Sequence, residues 1–168
     1  METSWLRELR RGKKPDSGKL VEHLQRVHRE NPGFTEKYSA NCVDAAGMNT
    51  YQWLAEVIEK EDHKEILDLA CGSGPLLSHC HDKFGGDLSL TGVDMSQAEL
   101  NLAEKRLPDT ATLVQAKAQN LEFIGDEEID VVLCHWALTL MDPVGPVLEE
   151  VSRVLKPGGT FAAIVDGD

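Results

Sequence analysis

Three groups of residues carry possible chemistry in their types and spacing. The run from Ile66 to Gly74 reads as a buried strand that ends in an acidic, glycine-rich turn, Asp68-Leu69-Ala70-Cys71-Gly72-Ser73-Gly74. Its glycines let a ligand approach the backbone, and the helix that follows presents unpaired N–H groups at its positive end. Pro75 suits the first helical position, where its missing N–H costs nothing. Such a turn cradles nucleotides, although a Gly-x-Gly turn alone occurs in many folds.

The second group is Asp94, which ends the run Thr91-Gly92-Val93 and lies 22 residues beyond Gly72. At that spacing an acidic residue reaches a ribose in doubly wound folds. It could instead cap the helix that starts near Ser96, but its place at a strand's carboxyl end favours the ribose. The third group is His135, at the end of another strand, where imidazole titrates near neutrality and suits a general base. The competing reading of His135 is a pocket wall or a hydrogen-bonded neighbour of the ligand. His79-Cys80-His81 carries zinc-ligand types, yet neighbours on a helix point about 100° apart and do not converge on one ion. No metal site is expected.

These residues need elements to position them. Leu20, Leu24 and Val27 recur at helical spacing and predict a helix between Ser17 and Arg29, stopped by Asn31-Pro32-Gly33. Two further helical stretches follow between Phe34 and Lys60, the second capped by Asn49 or Thr50. After Lys64 short strands alternate with helices. Strands are expected over 65–69, 88–93, 112–115, 129–134 and 160–165, with helices over 75–83, 96–106 and 143–155, Asp142 capping the last. Strand and helix in alternation mean a parallel sheet with right-handed crossovers. The chain divides into a basic mobile tail (1–16), an N-terminal helical cap (17–60) and a cofactor-binding domain (61–168).

The net charge of −12 is unevenly placed: residues 1–30 carry eight Lys/Arg and five Asp/Glu, against 9 and 24 in the rest, so the body of the chain is strongly acidic. An acidic field repels phosphate backbones, so nucleic acid is not expected as a partner. No apolar run reaches the roughly 18 residues of a membrane span. Met1 to Lys14 is charged throughout, unlike a signal peptide, and a cytoplasmic location is expected. Cys42, Cys71, Cys80 and Cys134 show no paired spacing and read as free thiols.

Taken in order, these segments resemble the class I S-adenosylmethionine-dependent methyltransferases, particularly the small-molecule enzymes of the ubiquinone and menaquinone group. The resemblance covers Thr50 to Asp168. Asp68 to Gly74 matches the first motif and Val93-Asp94-Met95-Ser96 the second. Gln119-Asn120-Leu121 looks like the loop beside adenine, Asp130 to Leu138 like the fourth strand, and Glu149 to Gly159 like the helix and turn before the fifth. The resemblance implies a Rossmann-like α/β fold with strand order 3-2-1-4-5 and S-adenosylmethionine as cofactor, with a small-molecule methyl acceptor.

By the same resemblance Asp68, Ala70, Gly72 and Gly74 surround the methionyl part of the cofactor, with Asp68 toward its ammonium group. Asp94 holds the ribose, Met95 packs on adenine, Ala118 and Gln119 read its edge, and Cys134 belongs to the cofactor site. Tyr38 and Trp136 shape the acceptor or cofactor site, although both suit packing. Lys117 departs from the family, whose members often carry an acidic residue just before the Ala of the third loop; an ammonium cannot accept from the adenine amino group.

Two other function classes compete. One is a non-catalytic module that binds the cofactor without a complete acceptor site. The other is a nicotinamide dehydrogenase, against which Leu77 stands where the third glycine of the dinucleotide fingerprint belongs. The sequence stops at Asp168, before the sixth and seventh strands of the family. Phe161 to Val165 would then leave an apolar edge, so a truncated product or a homodimer that covers that edge is expected.

Overall fold

The computed structural model describes residues 2–39 and 41–165; the ends of the expected tail and of the expected cofactor domain, Met1 and 166–168, lie outside them. Five strands form one parallel sheet: β1 (Glu65–Leu69), β2 (Ser89–Asp94), β3 (Thr112–Gln115), β4 (Ile129–His135) and β5 (Leu155–Ile164), in the order β3-β2-β1-β4-β5. The fold class and strand order are as the sequence predicts. The order reverses at β1, which pairs with β2 on one side (Asp68 opposite Gly92) and β4 on the other (Asp68 opposite Leu133). In such sheets the crevice beyond the carboxyl ends of the strands at this switch is where ligands bind.

Successive side chains of a strand face opposite ways, and the two central strands divide their apolar residues accordingly. Ile66, Val131 and Leu133 enter one core with Leu77, Leu100 and Ala103; Leu67, Leu69, Val132 and Cys134 enter the other with Leu121, Val147 and Val151. The first core is covered by α5 (Pro75–Phe84) and α6 (Gln97–Arg106), the second by α7 (Gly145–Val154). Cys80 turns fully into the first core while His79 and His81 are half-buried, so these three diverge.

Ahead of the sheet lie α1 (Ser4–Arg10), α2 (Ser17–Glu30), α3 (Phe34–Ser39) and α4 (Thr50–Ala55). Asn49 caps α4 in a reciprocal capping box with Gln52. Residues 3–10 are not the solvated tail that their basic charge predicts, although 11–14 are exposed. Trp5 stacks on His23 of α2 (centroids 4.7 Å apart, planes 15°), Thr3 Oγ1 is hydrogen-bonded to His23 Nδ1 (2.9 Å), and Lys19 Nζ donates to Glu8 (2.7 Å). Trp5 and Leu6 supply an apolar side that a count of charges hides.

Two other expectations fail near the second core. Asp142 does not cap α7, which starts three residues later at Gly145 with Val144 as its cap. β5 begins at Leu155 rather than Thr160, because Lys156 to Gly159 are accommodated by a shift of register between Ile129–Leu155 and Val131–Thr160.

Candidate functional site

The glycine-rich turn leaves β1 with Ala70, Gly72 and Gly74 at positive φ (60°, 53° and 78°). Cys71 N–H donates to Val93 O (3.0 Å) and Gly72 N–H to Asp94 Oδ2 (2.9 Å), so the turn is pinned to the end of β2. Gly92 makes this approach possible: a Cβ there would lie 2.8 Å from Cys71 Sγ. Asp94 Oδ1 accepts from Ser96 N–H (2.8 Å), so its carboxylate braces both the turn and the entry to α6. Each oxygen keeps a lone pair for a further donor.

A cavity of about 630 Å³ opens over this turn, within the range of small-molecule sites. Asp68, Ala70 and Gly72 form its floor, Met95, Ala118 and Gln119 one end, and His135 and Trp136 the other. With Asp94, nine of the expected site residues meet here. Three do not. Gly74 faces away from the cavity, where a Cβ would press on Ala103 and Leu107 of α6 (3.2 and 3.1 Å), so it serves helix packing. Cys134 lies fully inside the second core, with its thiol pushed up to about 12 by burial. Tyr38 is 61% exposed and packs on Phe34 instead of lining the cavity.

Asp68 is the most unusual group of the site. It is 1% exposed, and its Oδ1 has no hydrogen-bond partner. Burial, and then the charge of Asp94, push its carboxyl well above the usual carboxylate range. A buried polar atom without a partner costs about 1–3 kcal/mol, more when charged. The site therefore suits a cationic donor, and an ammonium placed against Asp68 satisfies the orphan oxygen and restores the carboxylate.

His135 differs from a free base. Its Nε2 is hydrogen-bonded to Thr50 Oγ1 (2.8 Å), and its ring stacks on Tyr51 (4.1 Å) and tilts against Trp136 (5.0 Å). Burial pushes its pKa down to about 4, so the ring is neutral at pH 7 and takes up a proton poorly. Lys117 lines the cavity beside Ala118. Leu77 is fully buried, with its Cδ1 3.0 Å from where a Cβ on Gly92 would lie.

The sequence predicts a helical cap over 17–60 but not the residues by which it reaches the cavity. α2 and α3 lie over the turn, bringing His28, Gly33 and Glu36 to the cavity, and α6 contributes Glu99. Glu99 is buried although charged, which a helix read by apolar periodicity alone does not reveal.

Fold and crevice together place a cavity at the switch point of a doubly wound sheet, where such folds bind ligands. A profile of the methyltransferase domain family matches residues 66–159, and the chain belongs to that family. It is 33% identical over 140 residues to the demethylmenaquinone methyltransferase of Symbiobacterium thermophilum, covering 78% of this chain and 55% of that one. It is 28% identical over 128 residues to a Caenorhabditis elegans sterol 4-C-methyltransferase, covering 74% and 38%. The crystal structure of an S-adenosylmethionine-dependent methyltransferase from Mesorhizobium loti superposes with a TM-score of 0.59 at 26% identity, covering 68% of this chain and 53% of that one. The chain thus spans about half the length of these relatives or less.

Proposed function

We propose that the chain binds S-adenosylmethionine in the cavity over the Asp68–Gly74 turn and directs its methyl group to a small, largely apolar acceptor. The observation that carries the reading is the unpartnered, fully buried Asp68 Oδ1 beside the glycine turn, which calls for a cation at that atom. When bound, the cofactor supplies a sulfonium methyl for in-line displacement, so the protein's part is positioning and exclusion of water. Asp68 would hold the ammonium, the Gly72 backbone would allow close approach of the methionyl part, and Asp94 would accept from the ribose. Met95, Ala118 and Gln119 would flank adenine.

The acceptor half is supported by Trp136, Leu140, Met141 and Pro146 at the opposite end, an apolar wall suited to a lipid-like or ring-shaped molecule. The menaquinone and sterol relatives agree with such an acceptor. His135, neutral and held by Thr50, would orient the acceptor or the wall around it rather than remove a proton. Its weak basicity also favours a second reading, a module that binds the cofactor without turning it over.

A cytoplasmic location belongs to this reading, supported by four free cysteines. No helix among the described residues is long and apolar enough to cross a membrane. The net charge of −12 speaks against a nucleic-acid partner. Pairing of β5 with a second copy is supported by its outer edge, on which no strand lies among the described residues. The function is tested by titrating S-adenosylmethionine, its demethylated product and NAD, then supplying labelled cofactor with quinol, sterol and phenol acceptors. Methylation of one acceptor class is expected. Binding without transfer to any would favour the module, and binding of NAD alone would refute both.

A further inference from the structure

We infer that Glu99 and Glu36 are positioning residues that clamp α2 and α3 over the glycine-rich turn and thereby set how long a bound cofactor stays. The inference rests on reading the cavity as the S-adenosylmethionine site. The platform is α6, where Glu99, Ala103 and Arg106 share a face through spacings of four and three. Ala103 sits against Gly74 of the turn, so the helix that supports the turn also carries both attachment points for the roof.

The first attachment runs from the body of the protein to the roof. Glu99 is 2% exposed, and both its oxygens accept from Gly33 N–H (3.0 and 2.9 Å) at the junction between α2 and α3. His28 Nδ1 of α2 donates to Glu99 Oε1 at 2.7 Å. A carboxylate buried on α6 is thus satisfied by two groups of the roof, and it would be left unpaired if the roof lifted.

The second attachment runs the other way. Glu36 of α3 accepts from Arg106 through both oxygens (2.9 Å each) and from Ser73 Oγ of the turn itself (2.9 Å). His28, Gly33, Glu36, Ser73 and Glu99 all line the cavity, so these bonds span its α2–α3 side. Departure of a ligand on that side requires them to break. Bonds between charged partners are about twice as strong as neutral ones, and the Glu99 pair is shielded from water, so it contributes more than a surface ion pair.

The test measures displacement of radiolabelled S-adenosylmethionine from the wild-type chain and from the Glu99→Gln and Glu36→Gln variants. Amide hydrogen exchange is followed on the same proteins without ligand. Each substitution is expected to speed dissociation on the order of tenfold. It should also raise exchange over residues 18–39 while β1 and β4 exchange as in the wild type, a pattern that general destabilisation would not give. Should Glu99→Gln fail to fold, Glu36→Gln and Arg106→Gln carry the test at the more exposed attachment. Wild-type dissociation and exchange in the variants would overturn the clamp alone. Absence of binding by the wild-type chain would overturn the cofactor reading and the residence claim with it.

Discussion

Ala70 shows how the site holds its shape at a local cost. It is one of only three non-glycine residues with positive φ among those described, and it lies on the cavity floor between Leu69 and the two glycines. An L side chain in that region costs about 1–2 kcal/mol, which the pinning of the turn to Val93 and Asp94 must offset. Ala70→Gly is therefore expected to raise stability by roughly 1 kcal/mol in denaturant unfolding. A loss of stability would mean that the Ala70 methyl packs more favourably than its strain costs. Asp68 and Asp94 were legible in the sequence because a turn motif fixes both type and spacing. Gly74 and Cys134 were assigned to the same site but serve packing, since a motif names residues without saying which way each faces.

At the scale of elements, the docking of α2 and α3 depends on the charge of His28. Its hydrogen bond to Glu99, aided by the charges of Glu99 and Asp94, outweighs burial and raises its pKa above the ordinary histidine value. A group whose folded pKa is raised stabilises the fold fully below its unfolded pKa and loses that contribution as pH rises through the folded value. Protection of amides 18–39 from hydrogen exchange, corrected for intrinsic rates, should therefore fall as pH is raised from 6 through the folded pKa of His28. In His28→Gln that fall should vanish; an identical fall in both proteins would contradict the assignment. Periodicity revealed α2, α5 and α6 and the alternation of strands with helices. It did not reveal α1, whose Trp5 contacts lie within a segment dominated by basic residues, or the early start of β5, which depends on the register with β4.

For the whole molecule, β5 ends the sheet with no further strand on its outer side among the described residues. Phe161 and Ala163 face one core, and Ala162 and Ile164 the other. An apolar strand with open N–H and C=O groups invites pairing. Sedimentation equilibrium of this chain at micromolar concentration is expected to give a dimer, dissociated by replacing Ala162 or Ala163 with Pro; a wild-type monomer would contradict that pairing. Asp68, Asp94, Glu36 and Glu99 border the cavity together with His28 and Lys117; Glu36 and Glu99 are paired with Arg106 and His28, which leaves Asp68 as the group that calls for a positively charged ligand. The most direct measurement is calorimetric titration of the wild-type chain and Asp68→Asn with S-adenosylmethionine. Saturable binding by the wild type, weakened at least about tenfold in Asp68→Asn, is the predicted result. Equal affinity in the two proteins, or binding of NAD in place of S-adenosylmethionine, would contradict it.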